Sequence, residues 1–183
     1  SSRFPGKPMA TILGKPMILW VTEECIKSRY INHFIVSTED KEIKNLCCVN
    51  KIEVIDRPRE LAEDDIEKME VIAHATKVMI RNGYKPDIVI SLQPNSPEFK
   101  AIDLDNAIQF FIENLFPRHP IAEVISINPD MLQNGCFRIM TKKTVFQKTL
   151  STHVGVFMTN YIDIHEIGDI SIVEKNLRTE IID

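Results

Sequence analysis

HFIVSTEDKEIKNLCC, residues 33–48, changes its period halfway along. The first six residues form a β-branched run, and beyond them Ile43, Leu46 and Cys47 recur at the spacing of one helical face. A strand running straight into a helix is a βα unit, and the pattern repeats. IEVI (52–55) is again strand-like, and EKMEVIAHATKVMI (67–80) sets Met69, Ile72, Ala73, Thr76 and Ile80 near one helical stripe. DIVISL (87–92) is nearly all apolar, as for a strand covered on both faces. It leads into an amphipathic helix at LDNAIQFFIENL (104–115), with Asp103 as the expected N-cap. Upstream, MILWVTEECIKS (17–28) reads as a helix after Lys15-Pro16. The order βαβαβα with short connections predicts an α/β fold in which a mostly parallel sheet lies between helix layers.

Beyond residue 116 the regularity loosens. AEVISI (122–127) and HVGVFM (153–158) read as strands, NPDMLQNG (128–135) as turn and FRIMTKKTVF (137–146) as a hairpin arm. DISIVEKNLRTEII (169–182) reads as a closing helix with Asp169 as its N-cap. There is no internal repeat, low-complexity tract or linker, so residues 1–183 are read as one domain.

Composition narrows the function. At 183 residues and 44% hydrophobic content the chain can bury one sizeable core, and a net charge of −4 argues against a broad nucleic-acid-binding surface. The four cysteines form no CxxC pair and have no matching histidine spacing, which argues against a zinc site or a disulfide framework and fits reduced thiols in the cytoplasm. No apolar run reaches the roughly 18 residues of a membrane span, and no secretory leader is visible.

Ligands of open parallel sheets bind beyond the carboxyl ends of the strands. Those tips are polar here: Ser37-Thr38-Glu39-Asp40, Asp56-Arg57-Pro58 and Gln93-Pro94-Asn95-Ser96. The opening stretch SSRFPGKP (1–8) joins them if it follows a strand. Pro5 and Gly6 forbid a helix there, Gly6 lets backbone approach a ligand, and Arg3 and Lys7 offer charge-assisted bonds. A polyphosphate is the natural guest of such a loop, and a solvated turn is the plainer alternative.

SSRFPGKP followed by GKPMILWV (14–21) resembles the opening signature of the cytidylyltransferase family, sugar-activating nucleotidyltransferases that include the CMP-sialic acid (acylneuraminate) and CMP-Kdo synthetases. VSTED (36–40) is similar to the family's second strand tip, and RPRELAEDD (57–65) to its Arg-Pro segment. SLQPNSPEF (91–99) is similar to the sialate branch's Leu-Gln-Pro-Thr-Ser-Pro-Leu-Arg, and IDIHEIGDISIVEK (162–175) to the stretch that opens the last helix. The resemblance implies a Rossmann-like three-layer fold with a small hairpin dimer arm, hence a homodimer. It also implies transfer of CMP from CTP to an acidic, nonulosonate-like sugar with release of pyrophosphate, in surface-polysaccharide synthesis. By the same resemblance Lys7 and Arg3 are catalytic, and Ser1, Ser2, Arg3, Gly6, Lys7 and Arg57 bind the nucleotide. Gln93, Asn95 and Ser96 face the sugar, while Asp163 and Asp169 hold Mg²⁺.

The sequence also departs from the family. His165 replaces the second aspartate of the last motif, Asn95 stands where the Kdo branch has an aspartate, and Phe99 replaces a sialate-branch arginine, with Lys100 beside it. Lys68 stands where the sialate branch tends to have serine. The family's opening strand and its Ala-Arg pair have no counterpart, so the sequence is expected to begin inside a longer chain. These departures leave two further readings open: a sibling transferase of other nucleotide or sugar specificity, of the spore-coat-polysaccharide type, and a non-catalytic nucleotide-binding homologue. Single residues keep plainer alternatives as well. Arg57 may be read as a surface ion-pair partner of Asp56, Glu60 or Asp64, Gln93 as a buried amide satisfying loop backbone, and Asp163 as a turn or cap residue.

Overall fold

A computed structural model describes residues 6–63, 66–115 and 120–182. The expectations for Ser1, Ser2 and Arg3 lie outside the described residues. Gly6 takes the left-handed conformation, φ 70°, which only glycine adopts readily, and so turns the chain into a 3₁₀ turn over Lys7–Met9. β1 (Thr11–Ile12) and β2 (Lys15–Pro16) form a tight hairpin whose two turn residues, Leu13 and Gly14, both have positive φ. Two distant side chains hold it: Glu174 accepts from the Leu13 N–H at 2.8 Å, and the indole of Trp20 donates to the Ile12 carbonyl at 3.2 Å.

α1 (Met17–Lys27) follows, then β3 (Val36–Thr38) and α2 (Lys41–Val49). Asp40 caps α2 by accepting from the Glu42 and Ile43 amides at 2.7 and 3.1 Å. β4 (Val54–Asp56) pairs parallel with β3 and with no other strand among the described residues. α3 (Lys68–Arg81) buries only Thr76 of its sequence-predicted stripe, and Ile80 is exposed, so this helix lies on the molecule more loosely than its spacing implied.

β5 (Ile88–Leu92), α4 (Ala101–Glu113), β6 (Glu123–Ile127), β7 (Gln133–Thr141), the single turn α5 (Lys142–Val145), β8 (Val154–Met158) and α6 (Ile167–Ile182) complete the chain. Four strands form one sheet in the order β5-β7-β6-β8. β6 and β8 are parallel, β5 runs the same way, and β7 alone is antiparallel, so the fold is α/β with a mostly parallel sheet. A row of facing residues crosses it: Ile90 opposite Ile139, Ile139 opposite Val124, Val124 opposite Gly155. α1 and α4 cover that row with Val21, Cys25, Leu104, Ala107, Ile108 and Phe111. At Gly155 a Cβ would lie 3.0–3.1 Å from Phe110, Ile121 and Val124, so glycine is what lets helix and sheet close up there.

Three local expectations are corrected. FRIMTKKTVF is not a projecting arm: its first residues are the middle of β7, bonded on both sides, with Phe137, Ile139 and Met140 buried. It does form a hairpin, with β6, and the strand begins earlier, at Gln133. Asp103 lies in the first turn of α4 rather than at its N-cap, which is Lys100, and its carboxylate accepts from the Tyr161 hydroxyl. The α4 start is served from outside by Glu24, which accepts from the Ala101 N–H at 2.9 Å. Asp169 is the third residue of α6 and reaches back to the His165 and Glu166 amides at 2.7 and 2.9 Å, the acidic half of a capping box.

Asp105, 3% exposed on α4, fastens the turn after α1: it accepts from the Ser28 hydroxyl at 2.5 Å, the Arg29 amide at 3.1 Å and the Arg29 guanidinium at 3.2 Å. Burial acts to raise its pKa, but the bonds from Ser28 and Arg29 outweigh it and hold the carboxyl below its ordinary value of 3.8. A depressed folded-state pKa gives stability that is present above the unfolded value and lost as pH falls through the folded one. Asp105→Asn is therefore expected to lower stability at neutral pH, with the gap to wild type closing as pH drops below 3.8. Urea unfolding across pH 3 to 7 checks this, and a gap independent of pH refutes it.

Candidate active site

Three chain segments meet at the carboxyl ends of β5, β6 and β8: the loop after β5, the start of β7 and the loop after β8. Their junction is Asp163. One of its carboxylate oxygens accepts from the Ser96 hydroxyl and the other from the Gly135 N–H at 2.6 Å. Around it the Ile164 N–H donates to the Asn95 carbonyl at 2.8 Å, and the Ile162 N–H donates to Glu98 at 2.8 Å. The second Glu98 oxygen accepts from Asn176 of α6 at 2.7 Å, which leaves this glutamate buried yet fully engaged. The carboxylate is thus held in one orientation by groups from separate elements.

Lys7 enters from the opposite end of the chain. Its ammonium donates to the Ile164 carbonyl at 2.8 Å. Burial lowers its pKa, the charges of Asp163 and Asp169 oppose that shift, and the ammonium of Lys68 adds to it. Asp169 is half-buried; burial would raise its pKa, but the two backbone N–H bonds, with the charges of His165 and Lys7, keep it below the ordinary carboxylate value. Lys7, Asp163 and Asp169, three residues singled out in the sequence, therefore share one neighbourhood. His165, which replaces the family's aspartate, is exposed and contributes its backbone N–H to Asp169.

Asn95 and Ser96 are buried, 4% and 0% exposed, and Ser96 acts on Asp163. Gln93 lies beside Gly135, in a narrow cleft also lined by Lys68, Ser91, Asn134 and Arg138. A Cβ on Gly135 would come 2.7 Å from the Gln93 side-chain oxygen. Gly135 thereby gives the Gln93 amide its room while its own N–H orients Asp163. The sequence reading took Gly135 only as turn chemistry, and Glu98 had no role in it. Cys136, next in the chain, is inert: burial pushes its thiol well above the usual range, and the nearby Asp163 and Asp103 charges push it further.

Arg57 lines a second depression, of about 400 Å³, between the tips of β3 and β4 with Glu39, Lys41, Lys44, Asp56 and Arg59. Its guanidinium donates to Glu39, with the Nε bond at 2.8 Å, so its partner is neither Asp56 nor Glu60. Asp56 instead pairs with Lys44.

No group of three or more His, Cys, Asp or Glu residues converges as a metal cage among the described residues. Asp163 and Asp169 remain as oxygen donors. Two carboxylates suit a hard divalent ion that keeps waters and substrate phosphates in its shell, and do not suit an all-protein cage.

Residues 1–148 match the cytidylyltransferase family. The chain belongs to that family. Relatives of this cytidylyltransferase-family chain include a 3-deoxy-manno-octulosonate cytidylyltransferase of Psychrobacter cryohalolentis, 33% identical over 114 residues, covering 62% of this chain and 40% of the relative. An 8-amino-3,8-dideoxy-manno-octulosonate cytidylyltransferase of Shewanella loihica is 34% identical over 122 residues, 66% of this chain and 44% of that protein. The chain thus spans well under half the length of the curated relatives it matches. Its fold is similar to that of a CMP:2-keto-3-deoxy-manno-octonic acid synthetase complexed with CTP, with a TM-score of 0.75 at 16% identity over 98% of this chain and 95% of that one. It is also similar to 4-diphosphocytidyl-2C-methyl-D-erythritol synthase, with a TM-score of 0.68 at 9% identity over 93% and 94%.

Because the atom facing Gly135 ends a flexible side chain, Gly135→Ala is expected to displace Gln93 rather than unfold the protein, at a cost of about 1–2 kcal/mol. Adding Gln93→Ala should recover most of that loss. Thermal unfolding of both single variants and the double variant measures the coupling, and additive effects would mean that the two residues do not share the space.

Proposed function

We propose that this chain carries the catalytic centre of an enzyme that transfers CMP from CTP to an acidic sugar with release of pyrophosphate. The convergence of Lys7, Asp163 and Asp169 at the carboxyl ends of the sheet strands supports this reading. In such a transfer a hydroxyl of the sugar attacks the α-phosphorus, the bond to the bridging oxygen breaks, and pyrophosphate leaves with the electron pair. The protein's work is to neutralise the triphosphate and align the two reactants.

Lys7 faces the triphosphate, held by the Ile164 carbonyl so that its ammonium needs little reordering on binding. Gly6 shapes that loop, and Arg57 holds the nucleotide from the adjoining depression while Glu39 keeps its fork oriented; Ser1, Ser2 and Arg3 bind the nucleotide in the same reading by the family resemblance alone. Gln93 contacts the acceptor sugar. Ser96 and Asn95 act from beneath, by fixing Asp163 and Ile164. Mg²⁺ belongs to the reading, with Asp163 and Asp169 as the residues that would hold it. When bound it supplies charge neutralisation on the phosphate oxygens. The acceptor is of the 3-deoxy-octulosonate class, by analogy with the named relatives. A cytoplasmic setting is part of the same reading, supported by the free cysteines, and so is surface-polysaccharide synthesis. So is a homodimer, supported by the exposed Val154, Val156 and Met158 on the edge strand β8.

A second reading, nucleotide binding without turnover, is favoured by one observation: His165 stands where the family's last motif has its second aspartate, and it is exposed and contributes only its backbone N–H to Asp169. Pyrophosphate release from CTP with 3-deoxy-manno-octulosonate and related acidic sugars separates the two. Turnover is expected, and CTP binding without turnover on any of them would select the second reading. CTP is expected to raise the melting temperature more than UTP, GTP or ATP at equal concentration. Lys7→Ala is expected to weaken CTP binding by roughly 1.5–3 kcal/mol, as for a lost charge-assisted bond. Isothermal titration reads it, and an unchanged affinity would move the triphosphate away from this loop.

A further inference from the structure

Lys68 is exposed, stands first in α3 and lines the same narrow cleft as Gln93 and Gly135. Two forces act against a cation at that place. The start of a helix carries the positive end of its dipole and favours carboxylates over ammonium groups. Lys7 is also close enough for the two like charges to interact. Among the described residues Lys68 makes no salt bridge. Arg138, the other cation on the cleft, is satisfied by the buried carboxylate of Glu123. Asn134 donates to Thr159 at 2.7 Å and is likewise engaged, whereas among the described residues no hydrogen bond engages the Gln93 amide. Lys68 and the Gln93 amide thus line one cleft, and a cation placed against the local electrostatic preference of a helix start is the kind of departure expected at a functional site.

We propose that Lys68 and Gln93 bind an oxyanion of the substrates, Lys68 supplying the charge and Gln93 a neutral donor. This rests on the cytidylyl-transfer reading above. The oxyanion is either a phosphate group of the nucleotide or the carboxylate of the acceptor, since an ammonium serves both as a point charge with three donors. Lys68 is thereby the residue of this chain that extends the cationic lining from the triphosphate loop toward the acceptor side.

The test compares the wild-type protein with Lys68→Ala, Lys68→Gln and Lys68→Arg. CTP, inorganic pyrophosphate, 3-deoxy-manno-octulosonate and its methyl ester are each titrated calorimetrically, with steady-state kinetics run beside them. The expected result is a loss of about 10-fold in Lys68→Ala and Lys68→Gln, largely restored in Lys68→Arg, for one class of ligand. A loss confined to CTP and pyrophosphate assigns the phosphate. A loss for the free sugar acid but not for its uncharged ester assigns the carboxylate. Removing a cation from the helix start should leave the melting temperature unchanged or higher, whereas a structural lysine would lower it. Unchanged affinity for all four ligands overturns the proposal. Wild-type binding without turnover would instead overturn cytidylyl transfer, and the titrations would still decide Lys68.

Discussion

Much of this molecule is organised by the need of one partly enclosed carboxylate for partners. Asp163 lies where the chain leaves β8, and its charge is accommodated only because a hydroxyl from the loop after β5 and an amide from the start of β7 both point at it. An unsatisfied charge in such a place would be costly, so the three loops cannot drift independently. Their mutual fixing is reinforced by the Glu98 and Asn95 contacts to the same segment. Lys7 completes the arrangement by binding the carbonyl next to Asp163, which ties the beginning of the described chain to its last third.

The fold was legible where one residue or one period carries the signal. The change of period within residues 33–48 marks a strand and then a helix, and β3 and α2 lie there. The strand at residues 88–92 has almost no polar residue, yet it is not covered on both faces: it is the outermost strand of its sheet among the described residues, and all five of its residues are only half-buried. What could not be read depends on partners far along the chain. The start of α4 is served by Glu24 of α1, which no local pattern discloses, and so Asp103 was given a cap role that it does not have. β7 looked like an arm because its lysines and threonines at 141–144 suggest a solvent-exposed excursion. Its apolar residues at 136, 137, 139 and 140 are those of a strand covered on both faces.

The site divides in the same way. Lys7, Gln93 and Asp163 lie in stretches whose composition already sets them apart, and the structure brings Lys7 and Asp163 into one neighbourhood. Gly135 was passed over because its contribution is a side chain it lacks, and only the position of Gln93 in three dimensions shows why that matters. The plainer alternative for Arg57 named Asp56 and Glu60 as ion-pair partners, whereas its partner is Glu39, from the adjoining strand tip; Asp64, also named, lies outside the described residues. Charge pairs between parallel strand ends follow sheet order, not sequence distance.

The antiparallel strand β7 also bears on how the molecule assembles. Its pairing with β6 closes a turn of only residues 128–132, so that hairpin is the least entropically demanding contact in the sheet. β5 and β8 must then add to either side of this ribbon across much longer excursions, each carrying a helix or an irregular loop. Such nonlocal pairing slows the search for the native state. The loops that hold Asp163, which emerge from β5 and β8, are thus joined to the hairpin by pairings that close over longer stretches of chain than the hairpin itself.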